Sequence, residues 1–166
     1  MEAILRRRSI RQYTGEKISE EIIETLLRAA MSAPSANNIQ PWHFIIIDDR
    51  KTLDAIPKFH PYSKMLTQAP LAILVCGDTK AVMKPEYIYL DCSAATQNIL
   101  IAAHTLGLGA VWLGIYPREE RIEGIKNLMM LPEHIEPIAL ISLGHPAESK
   151  EPSNRFTKSK VKYNHW

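Results

Sequence analysis

Between Glu86 and Leu106 the chain carries Leu90, Ala94, Ala95, Ile99, Ala102 and Ala103 at helical spacing, with Gly107 just past the end. A helix this small and apolar over most of its girth has to be buried, either across a sheet or against a second subunit. The other elements must be arranged around it. Four shorter apolar runs supply a sheet: His43–Ile47, Leu71–Cys76, Ala110–Leu113 and Ile138–Leu143, three of them closed by Asp48-Asp49, Gly77-Asp78 and Gly144-His-Pro146. The unbroken β-branched and aromatic run at 43–47 reads as a central strand.

Helices fill the intervals. Ser19 is an N-cap ahead of Glu20 and Glu21, and Ile22, Ile23, Leu26, Leu27 and Ala30 keep helical spacing until Pro34 stops the run. Asp49 caps a short helix through Ile56, and Pro117-Arg118 opens another that Pro132 ends. Residues 2–8 suit a short helix and Ser9–Tyr13 an extended segment, while Pro57, Pro61 and Pro70 make 57–70 an irregular connection. Strands alternating with helices over 166 residues predict one α+β or α/β domain, a sheet flanked by helices.

A net charge of +2 hides a local bias. Arg6, Arg7, Arg8 and Arg11 crowd one end, and Lys150, Arg155, Lys158, Lys160 and Lys162 the other, so both ends suit an anion. The body is not basic and no aromatic stripe accompanies the arginines, which argues against nucleic acid. Cys76 and Cys92 sit far apart in apolar contexts, the pattern of core residues in a reducing compartment rather than of a zinc site. The six histidines are scattered with no pair at ligand spacing, so each reads as a surface or capped residue and no metal is expected. Charges at Glu2 and Arg6 fall where a secretory signal needs apolar residues, and no apolar run approaches ~18 residues, so a cytoplasmic protein off the membrane is expected.

Two segments carry candidate chemistry. Arg7, Ser9 and Arg11 alternate in the extended run and would point one way, a fork-and-hydroxyl set that suits a phosphate. The stretch Ala33-Pro-Ser-Ala-Asn-Asn-Ile-Gln-Pro-Trp42 is a stiff polar loop that either binds a ligand or caps its own backbone. From 147 to 166 the chain is basic with little apolar periodicity, yet it finishes Val161-Lys-Tyr-Asn-His-Trp166; such a tail docks on its own body or wraps a neighbour.

Taken together, Arg-Arg-Ser-Ile-Arg-Gln-Tyr at 7–13, Ala33–Phe44, Gly107-Leu-Gly-Ala-Val-Trp-Leu-Gly114 and Gly144-His-Pro146 resemble the FMN-dependent nitroreductase family in its short form, over essentially the whole chain. The resemblance implies a single nitroreductase-like domain over 1–166, a three-layer α/β/α fold with a central mixed sheet. It also implies FMN as cofactor, with NADH or NADPH as electron donor. Arg7, Ser9 and Arg11 would hold the phosphate, ribityl chain and pyrimidine edge, with Arg8 at or near the cofactor and Arg155 on the phosphate. Lys64 matches the family lysine near flavin N1 and O2, where a cation favours the anionic reduced flavin. Trp112, Leu113 and Gly114 would cover one flavin face and offer a backbone N–H to N5. Pro34, Ser35 and Asn38 would come from the other subunit of a homodimer with FMN at its interface, and Asn37 would face the substrate. Pro61 stands where some larger members have an asparagine, and the short segment after Cys76 leaves no room for their helical excursion over the flavin, so the pocket is expected to be more open or closed by something else.

The activity implied is electron transfer from NAD(P)H through flavin N5 to nitroaromatics, quinones or similar acceptors, in alternating half-reactions. No protein residue is expected to be catalytic, because the flavin carries the reactive atom. The alternatives are a specialised relative, such as a reductive dehalogenase or flavin-destroying enzyme, and a non-catalytic flavin-binding protein.

Overall fold

A computed structural model describes all of residues 1–166. The elements run α1 (Glu2–Arg6), α2 (Glu20–Met31), β1 (Trp42–Ile47), α3 (Arg50–Ala55), β2 (Leu71–Asp78), α4 (Glu86–Thr105), β3 (Gly109–Gly114), α5 (Glu119–Met129) and β4 (Ile135–Gly144), with short 3-10 turns between. Ser19 and Asp49 cap as expected: their side chains accept from the backbone N–H of Ile22 and Thr52. Helix α5 ends sooner than Pro132 would require, because Met130 takes a left-handed φ of 51° and closes the last turn.

The sheet order is β1-β2-β4-β3 and every pair of these strands is antiparallel. Parallel pairing is confined to one bridge, Ser9 to Ala110, so the expected mixed sheet is mixed only at its β3 margin. Strand β1 lies at an edge, not at the centre. Its unbroken apolar run has another cause: Phe44 and Ile46 pack in the layer under α2 and α4, while Ile45 and Ile47 pack in the opposite layer with α3. Two covered faces erase the polar alternation whether or not a strand is central.

Each face of the sheet carries its own core. Leu26, Ile88, Cys92, Ala95 and Ile99 of α2 and α4 meet Ile73, Val75, Ile141 and Leu143 on one side; Leu53, Ile56, Leu66 and Ile125 meet Leu74, Leu113 and Leu140 on the other. The result is the three-layer arrangement expected. Burial of each such aliphatic side chain stabilises the fold by about 1.5–3 kcal/mol. Helix α4 crosses β2 so closely that a Cβ on Gly77 would lie 2.9 Å from Ile88 Cβ. No helix is long and apolar enough to cross a membrane.

The two chain ends run together along the β3 side. Ile10 N donates to Ala110 O and Thr14 N to His145 O, and the single Tyr13 hydroxyl proton is shared between the carbonyls of Ile10 at 2.8 Å and Ser142 at 3.2 Å. Glu148 accepts from the backbone N–H of Arg11, and Lys150 Nζ donates to Ser9 O at 2.9 Å. Beyond Lys150 the tail meets the body again where Ser153 accepts from Arg8, while Phe156, Tyr163 and Trp166 are exposed.

Candidate functional site

Where residues 152–156 pass the end of α1 they enclose a first cavity. Arg7 leaves α1 in an extended conformation, Arg8 Nη1 donates to Ser153 Oγ at 2.5 Å, and Arg155 follows two residues on. Together with Asn154 they line a space of about 520 Å³ whose wall contains no carboxylate. The Arg7 guanidinium has its pKa lowered, first by burial and then by the positive charges of Arg8 and Arg155. Arg8 Nε is buried without a partner. Three guanidinium groups lining one cavity, one of them with its Nε unpartnered, are chemically suited to a multiply charged anion.

The second cavity, about 450 Å³, is lined by Arg11, Lys64, Trp112, Leu113 and Gly114, together with His60, Tyr62 and Arg121. Lys64 opens the 3-10 turn Lys64–Thr67, and Trp112–Gly114 is the end of β3. Gly114 differs from every other glycine of the chain. Gly15 and Gly107 occupy positive φ; at Gly77, Gly109, Gly124 and Gly144 a Cβ would press on Ile88, Ile10, Phe59 and Tyr13. At Gly114 a Cβ would meet nothing closer than Tyr116 O at 4.0 Å. The protein's own packing does not require a glycine there, so its bare backbone faces the cavity.

Above that glycine sits a group that the sequence does not reveal. His60 is 1% exposed, and its Nε2 lies 3.1 Å from Gly114 O. A carbonyl only accepts, so Nε2 carries the proton and Nδ1 is left buried without a partner. Burial, and then the Arg121 cation, hold the His60 pKa below its ordinary value. Arg121, near the start of α5, donates from Nη1 to the same carbonyl at 2.7 Å, and its guanidinium lies 5.4 Å from the centre of the exposed Tyr62 ring. Of the two expectations for a histidine, surface or capped, His60 takes the second: the 60–63 turn folds the ring inward onto β3, where the Gly114 carbonyl caps Nε2. Ser63 fastens that turn by donating from Oγ to His60 O at 2.7 Å. Nothing in sequence joins His60 to a carbonyl 54 residues away.

The predicted residues thus fall into three places within one chain. Arg7, Arg8 and Arg155 share the first cavity; Arg11, Lys64, Trp112, Leu113 and Gly114 share the second. Ser9 lines neither: its backbone pairs with Ala110 and its carbonyl accepts from Lys150. Pro34, Ser35, Asn37 and Asn38 line neither cavity. Their loop is fixed to α4 instead: Ala36 N donates to both carboxylate oxygens of Asp91, at 3.1 and 3.3 Å, and Asp91 is 6% exposed. Within the loop, Gln40 N donates to Ser35 Oγ and Gln40 Nε2 to Asn38 Oδ1, while Asn37, Asn38 and Gln40 all take positive φ. Both thiols are buried, with pKa values pushed up to about 12 mainly by desolvation, so neither cysteine is a thiolate at neutral pH.

An α/β/α protein with a guanidinium cavity at its clasped ends and a bare glycine in a cationic cleft at the sheet's end is the class defined so far. Comparison with known proteins makes it specific. The profile of the nitroreductase family matches residues 4–60 and 58–145, and the chain belongs to that family. A Methanothermobacter thermautotrophicus protein with the provisional name NADH dehydrogenase/NAD(P)H nitroreductase is 48% identical over the whole chain and 87% of its own length. A crystal structure of the same provisional name from Parabacteroides distasonis superposes with a TM-score of 0.96 at 42% identity, over 99% of this chain and 97% of the other. A Desulfovibrio desulfuricans relative solved in complex with FMN gives a TM-score of 0.86 at 35% identity, over 99% and 96% of the two chains.

Proposed function

We propose that the protein is an NAD(P)H-dependent flavin oxidoreductase holding FMN between its two cavities, and that it delivers electrons to nitroaromatics, quinones or similar electron-poor acceptors. The observation that carries this reading is Gly114, a glycine in the cleft wall whose missing side chain no protein atom replaces. A flat ring laid against β3 needs that gap, and a phosphate at the far end needs the carboxylate-free arginine cavity.

Arg7, Arg8 and Arg155 hold the phosphate, Ser9 the ribityl chain, and Arg11 and Lys64 the pyrimidine edge. Trp112 and Leu113 exclude water from one ring face, and the Gly114 backbone meets its reactive edge. When bound, FMN supplies N5 as the atom that takes a hydride from the nicotinamide and later gives the pair to the acceptor, in two alternating half-reactions. Lys64 places a positive charge where the reduced cofactor becomes anionic, which favours reduction. In a homodimer the Pro34–Asn38 loop reaches the neighbour's flavin, with Asn37 toward the substrate, and the exposed tail through Trp166 lies on the partner. The protein works in the cytoplasm.

Purified protein should be yellow, bleach with NADH or NADPH under anaerobic conditions, and recover on adding a nitroaromatic. A yellow protein that neither nicotinamide bleaches would indicate storage or another donor, and failure to take up FMN would sink the flavin reading. Surface substitutions that make the protein monomeric should cost it FMN as well.

A further inference from the structure

A glycine is the softest residue on which to build one wall of a site, because without a Cβ its backbone has the widest choice of conformations. Here that wall is restrained from outside. The Gly114 carbonyl receives two side-chain hydrogen bonds from different parts of the chain: His60 Nε2 at 3.1 Å, from the turn before Lys64, and Arg121 Nη1 at 2.7 Å, from α5. Arg121 also lies against the Tyr62 ring at 5.4 Å, so the 60–62 turn, α5 and the end of β3 meet at one oxygen. Just beyond, Ile115 N and Tyr116 N both donate to Ile138 O, at 3.3 and 3.1 Å, and the Tyr116 ring stacks on Tyr89 of α4 at 3.9 Å. The chain leaving Gly114 is therefore tied to β4 through its backbone and to α4, α5 and the 60–62 turn through side chains.

We propose that His60 and Arg121 are positioning residues which clamp the Gly114 carbonyl from two sides, fix the orientation of the bare glycine backbone, and so set how fast a ring laid against it is reduced. The effect on reduction rests on the flavin reading; the clamp itself does not. Each residue matters as a donor. His60→Gln keeps an N–H in reach and preserves the clamp, whereas His60→Leu removes it. Arg121→Met keeps the length and apolar bulk of the arginine stem, and Arg121→Lys returns a charged donor.

The test pairs two readouts on the full-length protein. Amide hydrogen exchange at Ile115 and Tyr116, measured without added flavin, should accelerate about tenfold in Arg121→Met and in His60→Leu, the scale of one lost hydrogen bond to a charged or buried donor. It should stay near the native rate in His60→Gln and recover in part in Arg121→Lys. In FMN-loaded protein the Arg121→Met variant should be reduced by NADH or NADPH severalfold more slowly at saturation, with little change in the half-saturating nicotinamide concentration and with partial rescue by Arg121→Lys. Should His60→Leu fail to fold, Arg121→Met and His60→Gln decide the question. Native exchange at both amides in Arg121→Met overturns the clamp, as does loss of protection in His60→Gln equal to that in Arg121→Met. Accelerated exchange with an unchanged reduction rate removes the proposed role in reduction. Protein that never takes up FMN refutes the flavin reading separately, and the exchange result still judges the clamp.

Discussion

The two cavities solve opposite problems. The Arg7–Arg8–Arg155 cavity assembles like charges with no carboxylate to neutralise them, and it is closed by chain ends joined through a few hydrogen bonds. The Gly114 cleft is mounted on the end of a buried strand, and its decisive feature is a missing side chain supported by distant donors. Both are lined by cations, Arg11, Lys64 and Arg121 in the cleft, but only the cleft is shaped by a missing side chain. Their responses to salt, substitution and pH should therefore differ.

The largest separation is expected from the arginines. Each charge-assisted hydrogen bond contributes about 1.5–3 kcal/mol, so the double variant Arg7→Ala/Arg155→Ala should bind FMN more than about 100-fold more weakly in a fluorescence titration, with a weaker salt dependence than the native protein. Stability should barely change, since removing mutual repulsion offsets lost packing. Native affinity in this variant would deny the first cavity its role.

Glycine substitutions come next and separate site from scaffold. Gly144→Ala drives a Cβ to within 2.8 Å of the Tyr13 ring and should destabilise by about 1–3 kcal/mol in thermal melts. Gly114→Ala meets no protein atom inside 4.0 Å, so its melting temperature should hold while FMN affinity falls about tenfold. An FMN affinity equal to the native value would show that no ring lies against Gly114. Lys64→Ala should act more mildly, slowing flavin reduction severalfold with the fold intact, because an exposed cation is screened by solvent.

The smallest expected effect is a pH dependence confined to the cleft. His60 has a folded-state pKa below its ordinary value of 6.5, so above 6.5 it is neutral in both the folded and the unfolded chain. As pH falls below 6.5 the unfolded chain takes the proton first, and stability declines until the folded pKa is also passed. Urea midpoints should therefore drop between neutral and mildly acid pH, and His60→Gln should flatten part of that drop. Variants of the first cavity should leave its slope alone.

What could be read from sequence follows the same division. Ser19 and Asp49 were legible because a cap and the N–H it serves lie three residues apart, and Arg7-Arg8 was legible because the charges are adjacent. Family resemblance adds Lys64, Gly114 and Arg155 as expected site residues, and the fold sets the first two on one cavity and the third on another. The edge position of β1 was not legible, since coverage of both faces writes the same apolar run on an edge strand as on a central one. Nor was the His60–Gly114–Arg121 contact, whose partners belong to three separate elements and share no spacing.

The loop at Pro34–Gln40 has a consequence for binding entropy. Asn37, Asn38 and Gln40 sit in left-handed conformations, which cost an L-residue such as Gln40 about 1–2 kcal/mol, and Asp91 holds their segment to α4 through the Ala36 N–H. That conformational cost is met when the chain folds. Whatever docks on this loop finds it already ordered, and the association is spared the loss of freedom that a flexible loop would impose.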